Sequence, residues 1–230
     1  MTNNNTGPAF RRPPSLLPLS PLRPLGCPGE HPVCNLSFVT GFGYLLFALA
    51  MPTTRILAIS GSLRATSLNT AVLAAGSRLA PPETEIVFYS GLADLPAFNP
   101  DLDTGEPPRP VQILRHEIGK ADGLLISAPE YARGLPGSLK NALDWLVSSS
   151  EFPGKPIALI NTSPRSVEAQ AQLRLVLTTM SARLIDEASI TVPLLGKILD
   201  PDQIASDPSF SRPLRLALDS FVAAIRSIRK

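Results

Sequence analysis

"ILAISGSLRATSLNTAVLAA", residues 56–75, contains the change of period that decides the fold. Ile56 to Ile59 form an unbroken apolar run, the pattern of a short strand buried on both faces. From Leu68 onward, alanine and leucine recur at helical spacing. Between them lies a turn with one glycine, hydroxyl residues and one arginine. Such a strand-to-helix loop presents free backbone N–H groups at the positive end of the helix dipole. Gly61 permits a tight turn, Ser62 and Ser67 can donate to oxygens, and Arg64 adds a planar cationic fork. The stretch therefore reads as an anion cradle. A Ser67 that only caps the helix and an Arg64 that is only solvated would satisfy the same residues. Neither the G-x-x-x-x-G-K-[ST] phosphate loop nor the G-x-G-x-x-G dinucleotide loop is present.

The same alternation continues along the chain. "EIVFYS" (85–90), "GLLISA" (123–128), "KPIALINT" (155–162) and "ASITVP" (188–193) join "RILAIS" (55–60) as five predicted strands. Helical patterns fall between and after them, at Leu68 to Ala80, Pro110 to Lys120, Pro136 to Ser148, Val167 to Leu184 and Pro213 to Ile228. Strand and helix in strict turn imply an α/β fold with parallel strands, right-handed crossovers and helices on both faces. Five strands predict the flavodoxin-like three-layer sandwich with sheet order 2-1-3-4-5. Ligands of such sheets bind beyond the carboxyl ends of the strands, which selects the loops 60–67, 90–109, 128–136, 162–167 and 193–212.

Composition narrows the function. The chain has 230 residues, 21 Lys and Arg against 19 Asp and Glu, two cysteines and two histidines. Residues 51–230 carry equal numbers of basic and acidic side chains, so no global field argues for nucleic acid or an anionic membrane. Cys27 and Cys34 both precede Met51, which removes disulfides and cysteine-ligated metal from the body. His116, in "ILRHEIGK", lacks the context of a Ser-His-Asp triad and reads as an exposed helical residue.

The first fifty residues read differently. Eight prolines between Pro8 and Pro32 disfavour helix and strand alike, and the segment is expected to be disordered. It is followed by "LSFVTGFGYLLFALA" (36–50), an apolar run shorter than the roughly twenty residues a spanning helix needs. Its Ala48-Leu49-Ala50 end resembles a signal-peptidase site, but a long proline-rich stretch stands where a short basic start belongs. The competing reading is translation from Met51, with residues 1–50 as a mis-assigned extension. On either reading the folded domain is residues 51–230, and the second reading implies a cytoplasmic protein.

"APEYARGLPGSLKNALDW" (128–145) follows the third strand and so lies at the same end of the sheet as GSLRATS. Its prolines and glycines make a rigid loop, and Tyr131 offers a flat aromatic surface. Together G-S-L-R-x-x-S-x-N (Gly61 to Asn69) and P-E-Y-x-x-x-x-P-G-x-L-K-N-A-x-D-W (Pro129 to Trp145) resemble the NADPH-dependent FMN reductase family, whose flavodoxin-like members include quinone, chromate and azo-dye reductases. The resemblance spans roughly Arg55 to Thr191. It implies that Ser62, Arg64, Ser67 and Asn69 hold the FMN phosphate and that Pro129, Glu130, Tyr131 and Arg133 border the flavin ring. It also implies NADPH or NADH as donor, a small-molecule acceptor, and a homodimer or homotetramer with flavin near the subunit boundary. No metal and no protein nucleophile are required, because hydride passes directly between nicotinamide and flavin.

Two departures from the family pattern stand out. Ala132 occupies a position where the family commonly has Asn. After the fourth strand, "NTSPRSVEAQ" has no glycine where the family often has a glycine-rich loop, and Ser163 and Arg165 stand there instead. In "GSLKNALDWLVSS", Leu139, Leu143 and Leu146 share one helical stripe and Asn141, Trp145 and Ser148 another. The first stripe is expected to meet the sheet. Trp145 then either faces a second subunit or fills a gap under a loop of its own chain.

Overall fold

The computed structural model describes residues 53–194 and 196–229. The expectations for residues 1–50 lie outside them. The elements run β1 (Thr54–Ser60), α1 (Leu68–Arg78), β2 (Thr84–Phe88), α2 (Arg109–Lys120), β3 (Gly123–Ser127), α3 (Gly137–Asp144), β4 (Pro156–Asn161), α4 (Val167–Thr179), β5 (Arg183–Leu184), β6 (Ile190–Thr191), α5 (Pro201–Ser206) and α6 (Pro208–Ile228). All strand pairs are parallel, and the order is β2-β1-β3-β4-β5 with β6 also paired to β4. This is the predicted flavodoxin-like α/β sheet.

Alternation within β1 separates the two cores. Ile56 and Ala58 point to a cluster closed by α1, α5 and α6, through Val72, Leu73, Ile204, Leu214 and Phe221. Leu57 and Ile59 point to the opposite cluster, closed by α2, α3 and α4 through Leu114, Leu139, Leu143, Leu173 and Leu177. Helices α1 and α4 therefore lie on opposite faces of the sheet.

The structure departs from the sequence reading at the fifth strand. Instead of one strand over 188–193, two residue pairs flank a 3-10 turn at Asp186–Ala188. The Ser189 side chain bridges the gap. Its Oγ accepts from Leu159 N–H at 3.1 Å and donates to the Ile185 carbonyl at 2.9 Å, so the β4 ladder stays satisfied without a continuous partner. Helix α4 also stops earlier than predicted, at Thr179. Ser181 takes φ +61° beyond the cap, with Ser181 N–H on Thr178 O and Ala182 N–H on Leu177 O. This is a Schellman ending built on serine, and the glycine that usually announces one is absent.

Near the carboxyl end, α5 was not expected. Asp200 and Gln203 form a reciprocal capping box with Pro201 at the first helical position. Helix α6 begins at Pro208, five residues before the predicted start, because Asp207 caps it through Ser209 N–H at 2.8 Å. Pro213 lies inside the helix, in its second turn.

Candidate functional site

The loop after β1 is held by its own hydroxyls and by β3. Gly61 N–H donates to the Ser127 carbonyl at 2.8 Å, and a Cβ at Gly61 would come within 2.9 Å of the Ala128 Cβ. Only glycine permits that approach. Ser62 Oγ accepts from Arg64 N–H at 3.4 Å, and Ser67 Oγ caps α1 by accepting from Thr70 N–H at 3.4 Å. The Arg64 side chain is exposed, with no hydrogen bond or ion pair among the described residues.

Asn69 is the hub of the site floor. Its Oδ1 accepts from Ser127 Oγ at 2.9 Å and from Thr162 Oγ1 at 3.2 Å, tying α1 to the ends of β3 and β4. With the oxygen taken by two hydroxyl donors, the side-chain NH₂ is what Asn69 offers to the cavity it lines.

After β3, Glu130 does structural work. Its Oε2 accepts from Ala169 N–H at 3.0 Å, so a carboxylate from this loop caps the N-terminus of α4. Tyr131 and Gly134 exchange backbone hydrogen bonds at 3.1 and 2.9 Å around Ala132 and Arg133, which sit at φ +47° and +59°. This is a two-residue turn with both central residues left-handed, the geometry that favours Asn and Gly. The Gln172 amide clamps it, donating to the Arg133 carbonyl at 3.2 Å and accepting from Leu135 N–H at 3.2 Å. Arg133 reaches Glu168 at 3.7 Å.

These loops enclose a cavity of about 910 Å³, at the upper end of the range for small-molecule sites. Seven of the eight expected residues line it: Ser62, Arg64, Ser67, Asn69, Pro129, Glu130 and Tyr131. Arg133 does not. Two further loops that the sheet order selected, 162–167 and 193–212, also line it, though none of their residues was among the eight. Thr162 to Ser166 contribute from the β4–α4 loop, with Arg165 and a buried Ser166. Lys197 to Pro201 contribute from the chain before α5, where Ile198 is 99% exposed. The D-P-D-Q capping box at 200–203 was the available signal for α5, the helix that closes the second segment.

Trp145 takes the second of its two expected places. It is fully buried, its Nε1–H donates to the Pro96 carbonyl at 2.8 Å, and Phe98 packs edge-on at 5.0 Å between centroids. Asn141 secures the same loop, accepting from Phe98 N–H at 2.7 Å and donating to Pro96 O at 2.9 Å. The expectation of a neighbour-facing Trp145 is thus overturned: the loop 96–98 covers the second stripe of α3.

Below the loop 96–103, Arg115 pairs with Asp103 at 2.8 Å and donates to the Trp145 carbonyl at 2.6 Å, while Ser148 Oγ donates to Asp103 at 2.5 Å. The Ser148 hydrogen bond, followed by Arg115, holds the Asp103 carboxyl below its usual range. Burial, with Asp94 nearby, pushes the Tyr89 phenol up to about 12.

All of the cavity wall except Lys197 to Pro201 falls within residues 54–194, which match the family model described as NADPH-dependent FMN reductase. The chain belongs to that family. Its relatives include a quinone reductase of Escherichia coli strain K12, 33% identical over 64% of this chain and 81% of the relative. A 2-hydroxy-1,4-benzoquinone reductase of a Burkholderia species is 32% identical over 76% of this chain and 98% of its own. Among solved structures, a flavoenzyme NAD(P)H:(acceptor) oxidoreductase of Paracoccus denitrificans superposes with a TM-score of 0.60 at 29% identity, covering 76% of this chain and 98% of that one. Family membership makes this chain an oxidoreductase. Among the described residues, no helix is long and apolar enough to cross a membrane.

Proposed function

We propose that the chain binds FMN in the 910 Å³ cavity and passes electrons from NAD(P)H to a quinone. One observation carries this reading: unpaired donors converge where a phosphate would meet the N-terminus of α1. Arg64 has no partner among the described residues, Asn69 presents its NH₂, and Ser67 keeps its hydroxyl proton after accepting the cap bond. Such donors beside a helix N-terminus suit a dianion. The residues present therefore fit the group. Free flavin, chromate and azo compounds remain outcomes of assay; quinone is favoured by the names of the relatives.

In this reading Ser62, Arg64, Ser67 and Asn69 hold the phosphate, while Pro129 and Tyr131 flank the ring. Tyr131 is half exposed and anchored at its backbone by the turn. Glu130 acts on the loop rather than the ligand, because Ala169 N–H occupies its carboxylate. Arg133 belongs to the rim, held towards Glu168. Bound FMN would supply the two-electron chemistry; the protein contributes position, charge and exclusion of water. Self-association as a dimer or a dimer of dimers, and a cytoplasmic location, belong to the same reading.

The test is direct. The purified protein should be yellow, lose its flavin absorbance when NADPH is added without oxygen, and regain it when a quinone is admitted. A colourless protein that takes up no added FMN would refute the reading. A yellow protein that NADPH and NADH fail to bleach would leave the flavin and remove the reductase.

A further inference from the structure

The stretch between β6 and α5 is fastened at its two ends and free between them. At one end Leu194 is fully buried, and its N–H donates to the Thr162 carbonyl at 3.0 Å. At the other, Asp200 is locked into its capping box with Gln203, and Pro201 opens α5. Between these anchors Gly196 takes φ +79°, a left-handed conformation natural to glycine, with nothing within 4 Å of where a Cβ would stand. Ile198 and Leu199 make no backbone–backbone hydrogen bond among the described residues. Lys197 N–H bonds back to Leu194 O at 3.0 Å, inside the same turn, and its ammonium rests 5.3 Å from the Phe210 ring centroid, a contact that is weak at an exposed site.

A single exposed apolar residue is ordinary on a protein surface. The place of Ile198 is what sets it apart. It is 99% exposed and yet stands on the wall of the cavity, in a segment that no ladder holds. Its neighbour Leu199 packs partly buried against the same core cluster as Leu68 and Ala71 in the first turn of α1. Leu68, Ala71 and Ala74 also line the cavity, so an apolar strip of α1 continues from the loop 62–67 along the wall. Rotation of the backbone at Gly196 that brought Ile198 inward would bury it over the N-terminus of α1 and whatever is seated there. Burial of the side chain favours that movement, and the water it expels from the charged cradle strengthens the attraction for an anion.

We infer that residues 196–199 form a strap that closes over the bound ligand, with Gly196 as the hinge and Ile198 as the side chain that seals the cavity. The inference rests on the flavin reading above and deepens it: the strap sets how long the ligand stays. Lys197–Ile198 is also a peptide bond of the kind trypsin cuts, on an exposed segment, so closure can be read at one bond.

The experiment uses the full-length protein, flavin-free and FMN-loaded, and the variant Ile198→Ser. Limited trypsin digestion with mass spectrometry gives the rate of cleavage after Lys197 and, as an internal reference, after Lys120, which precedes β3 at the opposite end of the sheet. General stabilisation by a ligand slows both alike, whereas closure slows the first. FMN is expected to slow cleavage after Lys197 about tenfold or more beyond its effect at Lys120. Ile198→Ser is expected to speed FMN dissociation, followed by recovery of flavin fluorescence, by about tenfold. Equal protection of the two bonds, or unaltered dissociation from the variant, overturns the strap and leaves the flavin reading intact. Uptake of FMN by the wild-type chain tells the two failures apart, because a chain that takes up none overturns both.

Discussion

Arg64 tests the cradle most simply, because its side chain has no other partner among the described residues. Arg64→Ala is expected to weaken FMN binding by about 1.5–3 kcal/mol, the scale of a charge-assisted hydrogen bond, with the melting temperature nearly unchanged. Fluorescence titration beside thermal denaturation checks both halves, and an unaltered FMN affinity removes the loop from the site. Trp145→Ala should do the reverse of what an interface tryptophan would do. Truncating a fully buried indole that holds the loop 96–98 should cost about 3–5 kcal/mol of folding stability, measurable in urea, without selectively dissociating subunits. Legibility at this level followed locality. Ser62, Arg64 and Ser67 were readable as a cradle because a cap and its donors lie within one turn of sequence, whereas Asn69 came only from the family resemblance, its partners Ser127 and Thr162 being distant in sequence. The task of Glu130 was not, because its partner Ala169 is 39 residues away. The helical stripe of α3 told which residues share a face with Trp145, but periodicity carries no information about the loop that covers that face.

Among the elements, the strand order and the start of α4 at Val167 were legible from apolar runs and alternation, while the C-terminal end of α4 and the start of α6 were not. The α4 ending uses Ser181 at φ +61°, a conformation that sequence normally signals with glycine. Ser181→Gly is expected to raise stability by about 1 kcal/mol by relieving left-handed backbone strain at this exposed position; chemical denaturation reads it. The Asp103–Arg115–Ser148 cluster fixes the loop 96–103 against α2 and α3, and it should respond to acid. The folded carboxyl of Asp103 is held below its unfolded value, so its stabilising contribution is complete above about pH 4 and is lost as pH falls through the folded pKa. Asp103→Asn should be less stable at neutral pH and should show a shallower loss on acidification. Denaturation curves that keep the wild-type pH slope below about pH 4 would count against the cluster.

For the folded body as one unit, both cores close within Ile56 to Ile225. A chain beginning at Met51 is therefore expected to fold with the full chain's melting temperature and FMN affinity. Loss of soluble expression on that truncation would show that the apolar run 36–50 contributes to folding. The interrupted fifth strand bears on a different hazard. A sheet rim with regularly spaced free N–H and C=O groups is a template on which another chain can pair. Here the rim beside β4 offers only two-residue segments, separated by a turn whose Ser189 hydroxyl occupies the ladder position of a backbone group. No incoming strand can find more than two consecutive residues in register there. Substituting Ser189 by valine would free the Leu159 N–H and remove that obstruction, so the variant should aggregate faster on partial unfolding, a change that thioflavin fluorescence would report. The serine that looks like a defect in the sheet is what keeps this margin from becoming adhesive.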